Sequence, residues 1–486
     1  MADEAKEMES LKDQVRVMQQ RIDELSNTGD VQPSVPPSPE ASVAPSPQAS
    51  GPPLPVNSAV QPADQEKRGR VPSLTYAGLT IYGTVDVGIA YLNHGAPFSP
   101  DYAPGLPFLI QKFSNKPIFS VTNNGLSQSK VGISGVEPIN SDLTAVFRAE
   151  TGFNPVSGHL SNGPASLIDS NGKPLGSQTT SGDSSRAGQP FQGAAYAGLT
   201  SRTFGSLTIG RQNGLMADDL VKYDPQAQSQ AFSPIGYSGT SGGLGDTEDK
   251  ALDNAVKYGY SYGHARIALL HQFGSSSSIP QGADEVDIGA DYGRLSIDAL
   301  WGKVKGAVAA ASLTAAQAAT DPNTLAATIS DNTAYSLQAS YQLKPVKLYA
   351  GWERIKYANP AHPLANGVET IGGYVLSHVN DNAYSINKIL QISWVGARYS
   401  VTPQFDLVAA YYQYNQSSYG KVACADASAS TCSGEMHDAS AVADYFLTKR
   451  FDVYSGVNYS RVTNGLAQGY LYTAAWAPMV GFRFNF

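Results

Sequence analysis

PMVGFRFNF, residues Pro478 to Phe486, ends the chain with Phe482, Phe484 and Phe486 on one parity and Arg483 and Asn485 on the other. Side chains alternate between the two faces of a strand, so one face here is apolar enough for lipid and the other polar enough for water. A soluble sandwich rarely leaves an aromatic ladder exposed at its terminus. A barrel that closes on its last strand in a bilayer does.

The same texture fills the chain from Leu74 onward. Sixteen alternating segments follow one another, at 74–91, 127–136, 142–153, 194–202, 206–212, 253–262, 265–273, 285–292, 294–304, 334–343, 346–357, 390–401, 404–414, 438–447, 450–460 and 471–486. Their connections alternate in length. Tight turns lie at Glu137–Ser141, Thr203–Gly205, Gly263–His264, Gly293, Lys344–Pro345, Thr402–Pro403 and Thr448–Lys449. Long loops fill the other gaps, among them 92–126, 154–193, 213–252, 305–333, 358–389 and 415–437. Short turns at one end, long loops at the other and an even strand count are what a closed antiparallel transmembrane barrel requires. The expectation is an all-β fold, a sixteen-stranded antiparallel transmembrane β-barrel over residues 74–486, preceded by a short α-helical coiled coil.

Composition supports this. The chain has 27 Tyr and 16 Phe, and Tyr suits a membrane interface where one end of the ring is apolar and the other wet. No apolar run reaches the length of about 18 residues that a spanning helix needs. The net charge of −8 divides evenly, with eleven acidic and seven basic residues in 1–73 and thirty against twenty-six beyond. Nothing supplies the basic patch that nucleic-acid binding needs. The start, MADEAKEMES, is acidic and polar and is read as a processed or re-engineered beginning.

Residues 1–27 place Met8, Leu11, Val15, Met18, Ile22 and Leu25 at alternating spacings of three and four, a heptad seam that leans towards a parallel dimer. A lone amphipathic helix on a membrane surface is the alternative, but its polar face lacks the Lys/Arg excess such helices use. Residues 28–73 carry eleven prolines among Ser, Ala, Gln and Val. That composition makes an extended spacer rather than a core. At about 3.1 Å per residue it would reach on the order of 100 Å or more.

Cys424 and Cys432 are the two cysteines. A loop disulfide is expected, with free thiols in a reducing compartment as the alternative. Neither CxxC nor HExxH occurs, so no metal and no cofactor is expected. Gly239-Thr240-Ser241-Gly242-Gly243 matches the G-x-S-x-G nucleophile pattern but lies in a Gly/Ser-rich loop without the strand, turn and helix that pattern needs. No enzymatic activity is expected.

The segments LTIYGTVDVGIAY, SKVGISGVE, LTAVFRAETGF, YAGLTSRTFGSLTIGRQ, DNAVKYGYSY and the terminal GFRFNF, in this order and spacing, resemble the Gram-negative general porins, trimeric sixteen-stranded channels of the outer membrane. The resemblance covers roughly residues 74–486. It implies passive diffusion of small hydrophilic solutes and ions, a homotrimer, and contact with outer-membrane lipid and lipopolysaccharide. In that family the third long loop folds into the barrel and sets carboxylates opposite a basic wall. The corresponding loop is about 213–252, with Asp218, Asp219 and Asp224 first and Asp246, Glu248 and Asp249 after a Gly-rich run.

Alternation gives the wall independently. It points Lys130, Arg148, Glu150, Lys257, Arg266, Arg398 and Arg483 into the lumen. Cations facing carboxylates across a narrow channel would create a transverse field that tunes ion preference. The chain departs from the family at Thr84 and Gly193, where several members carry basic residues, and at Ala251-Leu252-Asp253-Asn254-Ala255. The thinner basic wall favours weak cation preference. Alternation also sends Arg211 towards lipid at the loop end of its strand, where a charge in hydrocarbon is costly; a subunit interface or the base of the inward loop would relieve it, and a position already above the membrane plane is the alternative.

Two further readings stand beside diffusion. The long loops 154–193 and 358–389 could narrow the mouth of a channel specific for sugars or carboxylates. The coil, residues 1–27, could tether the outer membrane to peptidoglycan from the periplasm or fix the oligomer.

Overall fold

The computed structural model describes Arg16 and residues 74–93, 117–173, 188–235, 251–274, 281–371, 373–420, 431–467 and 472–486. The expected coiled coil (1–27) and spacer (28–73) lie outside the described residues, apart from Arg16, which is helical. The barrel belongs to a compact unit, Leu54–Phe486.

A short β1 (Leu74–Tyr76) precedes the first barrel strand, β2 (Leu79–Leu92). The single strand expected over 74–91 is broken at Ala77 and Gly78, whose φ of 48° and 79° fold β1 back on β2. Two residues with positive φ make the tight hairpin turn that matches strand twist. The second barrel position holds two segments, β3 (Ile118–Asn123) and β4 (Lys130–Pro138), both paired with β2. The sequence reading left β3 inside a loop.

The wall continues through β5 (Leu143–Gly152), β6 (Ala194–Ser201), β7 (Gly205–Asn213), β8 (Ala251–Tyr262), β9 (Ala265–Gln272), β10 (Gly282–Tyr292), β11 (Leu295–Ala311), β12 (Leu325–Leu343) and β13 (Val346–Ala358). A hairpin of β14 (Val368–Ile371) and β15 (Tyr374–Asn380) comes next, then β16 (Lys388–Thr402), β17 (Phe405–Gln416), β18 (Gly434–Phe446), β19 (Phe451–Asn464) and β20 (Ala474–Asn485). Because β13 pairs directly with β16 and β20 pairs with β2, the sheet closes as an antiparallel barrel of sixteen strands, and the hairpin joins it only at the loop end, where β15 runs parallel to Leu325–Thr328 of β12. Closure leaves no backbone edge to face hydrocarbon. No helix among the described residues is long and apolar enough to cross a membrane.

The terminal stretch forms the seam. Gly83 N–H donates to Phe486 O at 3.0 Å, Phe486 N–H returns a bond to Gly83 O at 3.1 Å, and Thr84 Oγ1 donates to Asn485 Oδ1 at 2.9 Å. Along β20, Trp476, Val480, Phe482 and Phe484 are exposed on the outside while Arg483 and Asn485 are buried inside. One face therefore meets lipid and the other the lumen.

At the loop end the strands run further than alternation suggested. The loop expected at 305–333 shrinks to 312–324, since β11 reaches Ala311 and β12 starts at Leu325. The added length has an apolar partner. Helix α1 (Gly163–Asp169), in the loop between β5 and β6, packs Leu167 against Val308, Leu325, Ile329, Leu364 and Leu376. Asn162 Nδ2 donates to the Tyr374 hydroxyl at 3.1 Å, Leu313 N–H to Asn171 Oδ1 at 2.7 Å, and Ser312 Oγ to Leu167 O at 2.8 Å. Three loops are thereby fastened together at one end of the barrel.

Candidate functional site

The loop after β7 turns into the barrel. Gly210 takes a φ of 128°, and the pairing of β7 with β8 shifts between Gly210 and Gln212. Only glycine readily adopts that backbone, and the shift places the extra residue on β8, where Asp253 and Asn254, the latter at a φ of 51°, oppose the single Arg211. Arg211 keeps the outward parity expected of it, in register with Ala195, yet is buried at the foot of the loop. Its Nε donates to Gln192 O at 2.8 Å, and its Nη1 reaches Ala251 O at 3.2 Å and Asp253 Oδ1 at 2.8 Å.

Helix α2 (Leu215–Tyr223) follows, with Leu215, Met216 and Leu220 buried against the inner wall. Its N-cap is Gly214, which offers no side chain. The wall supplies the missing acceptor: Glu285 of β10 takes bonds from Leu215 N–H at 2.6 Å and Met216 N–H at 3.3 Å. A carboxylate there satisfies free helix donors and complements the positive end of the helix dipole.

Around the helix the wall is acidic. Asp218 pairs with Lys257 of β8 at 2.6 Å. Asp219, Asp287 and Asp298 are all buried, with carboxylate oxygens within 4.8 Å of one another. Asp298 is shared by Arg266 (Nε to Oδ1 2.8 Å, Nη2 to Oδ2 2.6 Å), by Lys222 at 3.3 Å and by the Tyr223 hydroxyl. Gln338 Nε2 lies 3.4 Å from Asp219 Oδ2. Burial, followed by the charges of Asp287, Asp298 and Asp218, pushes the Asp219 carboxyl well above its usual range. Burial likewise raises Tyr223, with Asp298 next to it adding to the shift.

Beyond the helix the chain makes a hook. Asp224, raised by burial, accepts from the Tyr412 hydroxyl at 2.6 Å, Gln228 N–H at 2.8 Å and Gln226 N–H at 3.2 Å, with Ala227 and Gln228 in the left-handed region between. Trp394 Nε1 donates to Tyr223 O at 3.0 Å and Gln226 Nε2 to Ser440 Oγ at 2.9 Å. Phe232 meets the Tyr454 ring edge-on at 6.5 Å. It fits because Gly456 below it has no side chain: a Cβ there would stand 2.7 Å from the ring.

The hook ends on residues 124–129, between β3 and β4. Ser229 Oγ and Ala231 N–H both donate to Gly125 O, at 2.7 and 3.0 Å. That segment is itself held inward by Asp86, which accepts from Gly125, Leu126 and Ser127 N–H at 3.1, 2.9 and 2.8 Å and from the Tyr454 hydroxyl at 2.6 Å. The loop therefore crosses the barrel interior, anchored by its helix on β9–β13 and by its hook on β16–β19 and the segment after β3.

Of the wall residues read from alternation, Lys257 and Arg266 meet the loop. Lys130 and Arg148 converge on Glu150 at 3.2 and 2.5 Å, with Tyr82 donating to the same carboxylate at 3.1 Å. Arg398 pairs with Asp406 at 3.3 Å, and Arg483 pairs with Asp452 at 2.9 Å and Asp444 at 3.6 Å. Asp246, Glu248, Asp249 and the G-x-S-x-G stretch at 239–243 lie outside the described residues, as does Cys424; Cys432 is buried.

Sequence reasoning missed Glu285, Asp287, Asp298, Asp86 and the aromatics Trp394, Tyr412 and Tyr454. A signal existed for the acids. In EVDIGADY, Val286 and Ile288 face outward, so Glu285 and Asp287 had to face inward.

Residues 57–465 match the family model described as Gram-negative porin. An outer membrane porin protein of Bordetella pertussis is 28% identical over 194 residues, covering 38% of this chain and 46% of that protein, so the match spans about half the relative's length. Among solved structures, an anion-selective porin from Comamonas acidovorans aligns with a TM-score of 0.56 at 16% identity, over 84% of this chain and 99% of that one. OmpT, an outer membrane protein of Vibrio cholerae, aligns with a TM-score of 0.53 at 13% identity, over 86% and 100%. At these identities the two structures speak for the fold alone.

Proposed function

The chain belongs to the Gram-negative porin family, and from that premise we propose that it is an outer-membrane channel for passive diffusion of small hydrophilic solutes and ions, constricted by the loop at about 213–252. The observation that carries this reading is the loop fastened across the inside of a closed barrel. A channel needs a polar, water-filled lumen and a fixed narrowing; the described part of this loop, residues 214–235, is pinned to the wall at both of its ends.

The constriction acts through charge. Near helix α2 stand Asp218, Asp219, Glu285, Asp287, Asp291, Asp298 and Glu353, against Lys222, Lys257 and Arg266. Lys130 and Arg148 on the far wall share Glu150. Acids outnumber cations here, and those that are ionised concentrate cations in a narrow passage; a weak cation preference results, and it strengthens as pH rises and more of the buried acids ionise. Planar-bilayer recording across a salt gradient tests it. A cation-to-anion permeability ratio above one is expected; a ratio below one overturns the preference, and silence from folded protein overturns the channel.

A second reading has its own observation. Residues 162–171, the loop 312–324 and the β14–β15 hairpin are bonded together at one end of the barrel, and a mouth narrowed there would suit a channel selective for sugars or carboxylates. Saturable block of conductance by one such solute would favour it. By the usual orientation of these barrels the loops are extracellular and the turns periplasmic. The same proposal includes a homotrimer, a Cys424–Cys432 disulfide, and a periplasmic role for residues 1–27 in trimerising the barrel or gripping peptidoglycan. Deletion of 1–73 separates those last two: a weakened trimer points to the first, lost wall binding to the second.

A further inference from the structure

The charges beneath helix α2 do not balance. Lys257 pairs with Asp218 at 2.6 Å. Lys222 lies 3.6 Å from Asp291 and 3.3 Å from Asp298, and Arg266 reaches the same two acids at 2.5 and 2.6 Å. Those three cations answer three acids. Asp219 and Asp287, both buried beside them, have no ion pair among the described residues. Buried charges are costly unless they are paired or coordinate a metal.

The two unanswered carboxylates converge with Asp298. One oxygen of each of the three lies within 4.8 Å of the others. Two oxygens on opposite sides of a Ca²⁺ ion, each at about 2.4 Å, stand about 4.8 Å apart, so three oxygens this close fit around one ion. Their lone pairs are free for it. Asp287 is 5% exposed, and its Oδ1 accepts no hydrogen bond. Asp298 Oδ2 accepts from Arg266, Lys222 and Tyr223, whereas Oδ1 accepts from Arg266 Nε alone and keeps a lone pair. Gly289, in register with Asp298, makes the room: a Cβ there would stand 1.5 Å from that Oδ1.

An independent group points in from the next strand. Gln338 is registered with Asp298 and is 1% exposed. Its Nε2 lies 3.4 Å from Asp219 Oδ2, and its Oε1 has no hydrogen-bond partner. Buried amide oxygens are normally satisfied. A half-turn of the amide presents Oε1 to an ion held by the carboxylates. Every donor in this set is an oxygen, with neither His nor Cys among them, which suits a hard cation.

We propose that Asp219, Asp287, Asp298 and Gln338 hold one Ca²⁺ ion that clasps helix α2 to the inner faces of β10, β11 and β12. Its two charges offset Asp219 and Asp287, and water of the lumen completes the shell of about six to eight oxygens. The ligands come from one helix and three strands, so no spaced motif records them; CxxC and HExxH are patterns for zinc. The site needs the loop docked inside the barrel and does not depend on whether the barrel conducts.

The test uses the full chain, refolded in detergent and freed of metal by chelation, with CaCl2 binding read by calorimetry at constant ionic strength. Retained heat-modifiable mobility shows that each barrel is folded. The unaltered chain should bind one Ca²⁺. Asp219→Asn and Asp287→Asn should each bind it at least tenfold more weakly, and Asp284→Asn, a change at a half-exposed carboxylate of the same β10, should bind it unchanged. Mg²⁺ should bind more weakly than Ca²⁺, because it demands shorter, octahedral contacts. Undiminished binding by Asp219→Asn and Asp287→Asn overturns the site, as does an equal loss in Asp284→Asn. Tighter binding of Mg²⁺ overturns calcium as the ion. Absence of saturable binding overturns the metal and leaves a shared proton to balance the carboxylates. Where a variant fails to fold, the unaltered chain decides: Tb³⁺ should show emission sensitised by Tyr223, whose hydroxyl bonds Asp298, and Ca²⁺ should displace it. Emission that Ca²⁺ does not displace, or none, overturns the site. Chelation should also speed amide exchange over residues 215–223 of the unaltered chain and leave Asp287→Asn as it was; equal exchange with and without Ca²⁺ overturns the clasp.

Discussion

The two ends of the constriction loop are held by different physics. The helix end rests on side-chain charge, through Glu285 at the N-terminus, Asp298 under Lys222, Tyr223 and Arg266, and Asp219 among other acids. The hook end rests on hydrogen bonds and packed rings, through the donors gathered by the Asp86 and Asp224 carboxylates, the Gly125 carbonyl, Trp394, Phe232 and Tyr454. Ion pairs and carboxylates that face one another answer to pH and salt, whereas carboxylates capped by several donors, backbone bonds and ring contacts do so more weakly. One end of the loop is therefore tunable and the other is a fixed hinge point.

Removing Asp86 should damage the fixed end most. Asp86→Ala strands three backbone N–H groups and the Tyr454 hydroxyl in the barrel interior. At about 1–3 kcal/mol for each donor left without a partner, the loss is on the order of 5 kcal/mol. The expected outcome is a folded barrel with a larger, noisier single-channel conductance as the hook lets go. Conductance indistinguishable from the unaltered chain would show that residues 124–129 do not hold the loop.

Asp298→Asn attacks the other end. It leaves Arg266 and Lys222 beside a neutral side chain, and breaking a buried pair on one side costs roughly 3–5 kcal/mol. The helix should loosen while the hook stays, and proteolysis of the loop from outside should quicken. Glu285→Gln is milder. It keeps a hydrogen-bond acceptor but removes the charge at the helix N-terminus, a change of about 1 kcal/mol. Open-channel noise should rise slightly, and more at low salt than at high.

The comparison also separates what the sequence discloses from what it hides. Strand β20 was readable because every residue from Trp476 to Asn485 obeys one period against two uniform surroundings, lipid and lumen. The inward parity of Lys257 and Arg266 was readable for the same reason, and their pairs with Asp218 and Asp298 lie on that side. Arg211 follows its parity, but its burial was not readable, because the groups that cover it, the Gln192 and Ala251 carbonyls and Asp253, come from the preceding loop and from the bulged start of β8. The hook was illegible for another reason. Asp86 and Tyr454 are 368 residues apart, and Glu285 caps a helix 70 residues before it. Such partners are set by which strands the barrel brings round, and no local pattern records that. The inward acids on β10 were within reach of alternation, but their purpose depends on the helix that lies over them.

The smallest effect is the one that tests the contrast most directly. Asp219 titrates above its usual value because burial and the charges of Asp287, Asp298 and Asp218 disfavour its ionised form, with Lys222 opposing them weakly. A carboxyl raised in the docked loop binds its proton more tightly there than in an undocked, solvated loop. Docking is thus fully supported below the ordinary Asp value of 3.8 and loses that support as pH climbs through the raised one. The channel should be tightest in acid and should open or flicker more as pH rises, a trend read from conductance at fixed salt. Asp219→Asn, which cannot ionise, should flatten the part of the trend that belongs to the helix end. Asp224 at the hook is raised by burial too, but three hydrogen bonds to its carboxylate work against the shift. If Asp224→Asn flattens the trend and Asp219→Asn does not, the tunable end has been assigned to the wrong half of the loop.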